Sequence, residues 1–242
     1  MPKRKRRRTK IKPGPILALG IIVVFVTGIL YSPLTSLSVT TVVGAHASDE
    51  GEIQGILSVL NGIPWIMVNP RWVETRVQRI EAVDHASYSQ NIFGRGNLQI
   101  FYRVPVARIK ANIPIGLDAT GVMFKTDELS DALPVVLRPD SARDLPITAA
   151  SGFPSTSVAD LAQKAQALAP QGKLTIWFNK EGALCLNMGT GLVILGSCDD
   201  LDEKLHALKE ILDDQPGLLA KLESLNLTEP TRPVKTYKRQ RE

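Results

Sequence analysis

The sequence predicts an α+β protein: a single N-terminal transmembrane helix, a β-α-α-β-β module, and a mixed β-rich module with two flanking helices. Three observations carry this reading. An uncharged apolar run at residues 16–31 follows a cluster of basic side chains. The next stretch shows hydrophobic periods of 2, 3.6, 3.6, 2 and 2 in turn. After Pro105 the texture changes to short strands and Pro- or Gly-rich turns, interrupted by two amphipathic helical patterns.

Charge is divided unevenly. Lys3, Arg4, Lys5, Arg6, Arg7, Arg8, Lys10 and Lys12 supply eight of the 29 basic residues, which leaves 21 against 24 acidic ones in the remainder. The net charge of +5 and the pI of about 9.2 therefore report the tail. A slightly acidic body argues against a nucleic-acid-binding domain, whose positive charge is spread over the folded face that tracks phosphates. The apolar run is rich in Ile, Leu, Val and Phe, each worth about −0.3 to −0.6 kcal/mol near the centre of an inserted helix. With residues 13–34 counted to the interfaces, its length predicts one membrane span. No Lys or Arg occurs between Ser32 and Pro70, so the basic flank predicts an N-in, C-out orientation. A cleaved signal peptide is the competing reading, since Ala45-His46-Ala47 is an A-x-A triplet. It lies about fifteen residues beyond the apolar run, too far for the usual short cleavage region. A buried core helix of such uniform apolarity would be hard to cover in a protein of this size.

Leu37, Val39, Thr41 and Val43 alternate as a half-buried strand closed by Gly44. A helix follows, with Ser48 or Asp49 as cap, Asp49 and Glu52 as a capping box, and Ile53, Ile56, Leu57 and Leu60 as its inner stripe. Asn69-Pro70 starts a second helix that buries Val73, Val77 and Ile80. Strands are predicted at 83–89 and 98–103, with a Gly-containing turn around 94–97 between them.

In the second module, Asp118 to Gly121 reads as a turn into a strand at 122–124, and 133–137 as another strand. Residues 138–154 read as surface loop. A helix over 155–169 is followed by a meander of strands at 174–178, 183–187 and 192–195. Asp199 or Asp200 caps a helix that turns Leu201, Leu205, Leu208 and Leu212 inward. Leu225 to Thr228 reads as a last strand, and 232–242 as a polar tail. A hairpin turn at 188–191 would set Cys185 opposite Ile194 and leave Cys198 about 13 Å further along at a strand's rise per residue, so two free, mostly buried thiols are expected.

Chemistry-bearing constellations do not emerge. His46, His85 and His206 fall in unrelated elements without ligand spacing. No G-x-S-x-G, S-x-x-K, P-loop or G-x-G-x-x-G run occurs. Asp199, Asp200, Asp202 and Glu203 are accounted for by the dipole at a helix start. No catalytic residue, metal, cofactor or small-molecule substrate is therefore expected, and the reading is a binding module.

Arg103-Val104-Pro105-Val106-Ala107, the run Leu117-Asp118-Ala119-Thr120-Gly121-Val122-Met123-Phe124, and Gly191-Leu192-Val193-Ile194-Leu195-Gly196 followed by a helix with Lys204-Leu205 occur in the order and spacing of the FtsQ/DivIB cell-division family, which the chain resembles. Tyr102 stands where that family has Glu, and Leu225-Asn226-Leu227-Thr228 lacks the acid and Arg of its I-D-L-R. The resemblance implies a basic cytoplasmic tail at 1–12, a transmembrane helix at 13–34, a POTRA-like domain at 35–108, a β domain at 109–231 and a flexible tail at 232–242. It implies a non-enzymatic, bitopic scaffold of the bacterial inner membrane. Its bulk would be extracytoplasmic and gathered at the septum, linking division proteins of the FtsB/DivIC and FtsL type. A POTRA-type chaperone or secretion accessory and a membrane-tethered enzyme are the alternatives. The candidate docking residues are Leu225, Asn226 and Leu227 on an expected edge strand, with Val234 and Tyr237 beyond it.

Overall fold

The computed structural model describes residues 13–30, 35–138, 153–169 and 173–238. Two compact units divide it, Met1–Tyr102 and Arg103–Glu242. The fold is α+β. The basic tail at 1–12, most of the loop read at 138–154 and the last residues of the expected C-terminal tail lie outside the described residues.

Helix α1 covers Pro13–Leu30. Its 18 residues rise about 27 Å at 1.5 Å each, short of a hydrocarbon core of about 30 Å. Among the described residues no helix is long and apolar enough to cross a membrane, which corrects the span expected over 13–34. Leu17, Ile21, Val24 and Phe25 are all exposed, so no protein core covers this helix.

The rest of the first unit is β1 (Val39–Val43), α2 (Glu50–Ser58), a 3-10 turn at Trp65–Met67, α3 (Pro70–Val77), β2 (Val83–Gln90) and β3 (Arg95–Tyr102). The strands form a sheet in the order β1-β3-β2, with β1 parallel and β2 antiparallel to the central β3. Ile53 and Leu57 of α2 and Val73 and Val77 of α3 join Val83, Ala86, Tyr88, Leu98 and Ile100 in one core. Asn69 caps α3 through Oδ1, which accepts from the Arg71 amide at 3.1 Å. The capping box expected on α2 does not form, because the Asp49 carboxylate accepts from Ser48 Oγ instead and makes no cap bond. Strand β3 starts at Arg95, three residues earlier than expected. Asn91 Oδ1 gathers the amides of Phe93 and Arg95, and Gly94 at φ +70 turns the chain against the Ser36 carbonyl.

The second unit contains β4 (Pro105–Ile109), β5 (Ile115–Asp118), β6 (Met123–Lys125), β7 (Val135–Val136), α4 (Ser155–Leu168), β8 (Thr175–Phe178), β9 (Leu184–Asn187), β10 (Leu192–Gly196), α5 (Leu201–Asp214), α6 (Leu218–Lys221), β11 (Leu222–Asn226) and β12 (Val234–Tyr237). Nine strands make one mixed sheet, β12-β11-β10-β9-β8-β7-β4-β5-β6. Cys185 pairs with Ile194 across β9 and β10, as the expected hairpin requires. Strand β4 belongs to this sheet, pairing with β5 and β7, so the second unit begins upstream of the boundary expected at 108. Two-residue β7 joins the β4-β5-β6 side to the β8–β12 side, parallel to both neighbours. Helices α4 and α5 pack together and bury Val158, Leu161 and Ala165 with Leu205 and Leu208 in the sheet's core. Fully burying one such leucine contributes about 1.5–3 kcal/mol.

Candidate docking edge

Residues 234–237, read as part of a flexible tail, form β12, which pairs antiparallel with β11 from Leu222↔Tyr237 to Asn226↔Val234. Strand β11 also pairs in parallel with β10. It is therefore interior to the sheet, and the edge expected at Leu225 lies one strand further out. The physical reason is in the connection. Asn226 Oδ1 accepts from the Thr228 amide at 2.9 Å and its hydroxyl at 2.7 Å, which turns the chain after β11. The Arg232 amide then bonds the Glu229 carbonyl, and Pro233 leads into β12. At the far end Lys238 donates from its amide to the Lys221 carbonyl and from Nζ to the Ala220 carbonyl at 2.8 Å.

The five candidate residues separate on this geometry. Leu225 and Leu227 are wholly buried, and the Leu227 amide donates to the Ile194 carbonyl at 2.7 Å. Asn226 is occupied by the turn. Val234 and Tyr237, each 59% exposed, lie on the open strand. With Lys235 on β12 and Lys238 just after it, this strand, paired on one side only among the described residues, combines apolar side chains and positive charge, the ingredients for adding a partner strand. At the opposite edge β6 offers three residues, of which Phe124 is buried and Met123 half-buried. The Val-Lys-Thr-Tyr run was the available signal for β12, since β-branched and aromatic residues behind a proline favour an edge strand.

Two buried charged groups were missed from sequence. Asp118, 5% exposed, accepts from the Thr120 amide and hydroxyl, the Val122 amide and, through Oδ2, Arg103 Nη1 at 2.7 Å. Burial alone would raise this carboxyl; the bonds from Thr120, Arg103 and Val122 outweigh it and hold the group below the ordinary carboxylate value. Lys204, 3% exposed, donates from Nζ to the carbonyls of Ser197 at 3.1 Å and Asp199 at 2.7 Å. That clamp accompanies the left-handed Asp200 at φ 53, so neither aspartate caps α5 in the expected way.

Nothing described converges as reactive chemistry does. His46 stacks on Tyr102 at 3.6 Å, His85 on Phe101 at 4.2 Å, and His206 faces Glu210 on the surface. Burial pushes both free thiols above their usual range, Cys198 further under the Asp199 charge, which suppresses the nucleophilic thiolate. Among the described residues no group of three His, Cys, Asp or Glu side chains is placed to hold a metal ion. What fold and edge define together is a two-unit α+β protein with an open basic strand. No protein-family model matches the chain, and no curated protein matches it at a significant level.

Proposed function

We propose that this chain is a membrane-attached docking scaffold of the cell-division type, which captures a partner segment along β12. The observation that supports this most is the β12 edge, where Val234 and Tyr237 stand exposed on the last strand of a nine-stranded sheet. The basic, partly apolar edge suits an extended segment with apolar side chains and net negative charge, and the partners proposed to supply it are division proteins of the FtsB/DivIC and FtsL type. Exposed α1 provides the apolar surface for attachment to lipid, and the septum is the site of action. The β-α-α-β-β order of the first unit, with its β1-β3-β2 sheet, agrees with the POTRA-like arrangement that the resemblance implies.

A fluorescent fusion of the full chain tests this reading. Midcell accumulation is expected, with division failing on depletion and only partly restored by a Val234→Glu/Tyr237→Glu variant. Diffuse signal together with normal division after depletion overturns it.

A further inference from the structure

We infer that the outer face of α3 is an anionic-lipid docking face, which lays the first unit against phospholipid headgroups. The inference rests on the reading that the chain works at a membrane. The face is built on one helix and the turn before it. Val73 and Val77 point into the core, so Trp72 and Arg76, one turn apart, share the outer side with Arg79 in the turn that closes the helix. Trp72 is 41% exposed, and the Arg76 guanidinium lies 5.7 Å from its ring centroid. Beside them the 3-10 turn exposes Ile66 and Met67. Gln90 Nε2 holds that turn to β2 by donating to the carbonyls of Trp65 at 2.8 Å and Val68 at 3.1 Å. These apolar side chains are thus presented by a fixed support.

Charge selects the occupant. Residues 59–81, from the end of α2 through the turn that closes α3, contain Arg71, Arg76 and Arg79 against Glu74 and Glu81, a surplus of one positive charge. Glu74 is turned away from this face, its Oε1 accepting from the Tyr88 amide at 3.0 Å. None of the three arginines is in an ion pair among the described residues. An aromatic ring with an amphipathic edge, two aliphatic side chains and guanidinium groups match the layered chemistry of a headgroup region, apolar below and anionic above. The chain between Leu30 and Leu37 extends at most about 25 Å, so lipid that receives α1 is within reach of this unit. Each arginine near an anionic surface strengthens binding about fivefold, and salt weakens that part.

The test uses the full chain with Trp65→Phe and Trp177→Phe, leaving Trp72 as the fluorophore. It is reconstituted with phosphatidylcholine vesicles, with or without phosphatidylglycerol. Sedimentation reports attachment and quenching by acrylamide, which is uncharged and so insensitive to the surface potential, reports the position of Trp72. In phosphatidylglycerol vesicles the quenching constant is expected to fall by about threefold, as for an indole moved to the interface. Arg76→Glu/Arg79→Glu is expected to restore quenching while the chain still sediments. Sedimentation with Trp72 equally quenched in both lipids, or with protection that ignores the arginine reversal, overturns the inference and leaves membrane attachment standing. Failure to sediment overturns the attachment reading itself, and the docking face with it. Protection by soluble polyglutamate but not by vesicles reassigns the face to an acidic protein.

Discussion

The two sheets share a plan, helices over one face and a single core, but their strands are stitched together differently. In the small sheet β3 is the hub, with five paired positions to β1 and seven to β2. In the large sheet the middle is the narrowest place, since β7 offers two paired positions to β4 and two to β8. Cohesion in the first unit therefore resides in one long central strand. In the second it depends on a short parallel seam reinforced by α4, which packs on β4 and β5.

The largest test of that contrast is Leu98→Ala at the hub. Its wholly buried side chain predicts a loss of about 4 kcal/mol in urea unfolding, read from probes in the first unit. A cost below about 1 kcal/mol, a surface-like value, would remove β3 from its central role. Next is Val135→Pro in the seam. The Val135 amide donates to the Leu174 carbonyl at 2.9 Å, and losing it with a ring inserted in an interior strand costs about 3 kcal/mol. Amide exchange should quicken in β4 and β8 together, and unchanged protection there would show that the seam is not what joins the two sides.

A smaller loss, about 2 kcal/mol, is expected for Asp118→Asn, which strips the charge from a mostly buried pair. Because the folded carboxyl is held below its unfolded value of about 3.9, its contribution is fully present above that pH and is lost as pH falls through the folded value. The stability gap between the native chain and Asp118→Asn should therefore narrow in acid below about pH 4. A gap independent of pH would assign the loss to packing. The smallest stability effect, within about 0.5 kcal/mol, belongs to Tyr237→Ala on the open edge. Partner capture measured by pull-down should nevertheless weaken about tenfold. Equal capture would remove β12 from the docking role.

Local patterns in the chain were legible and distant ones were not. Asn69-Pro70 announced α3, and the leucine spacing from Leu201 to Leu212 announced α5, because caps and a 3.6-residue period are written in neighbouring residues. The Cys185↔Ile194 register followed from one short turn. Strand β5 was missed because Ile115-Gly116-Leu117-Asp118 is buried throughout and shows no alternation. Parallel pairings such as Val193↔Leu225 join residues about thirty positions apart, and no local pattern encodes them. Of the docking residues, Val234 and Tyr237 fall on the open strand. Leu225 and Leu227 were drawn into the core by the β10 pairing that sequence could not reveal. The span expected over 13–34 counted interfacial residues to reach membrane thickness, and the 18 residues of α1 fall short of that thickness.

The two-residue strand also has a mechanical meaning. A partner pulling sideways on β12 loads the large sheet across its strands, and tension reaching β4 through the sheet must pass through β7. Val135 and Val136 would then yield before the longer ladders on either side. The sheet would behave as a fuse with a fixed breaking point, separating β8–β12 from β4–β6 at a place set by how few bonds were built there.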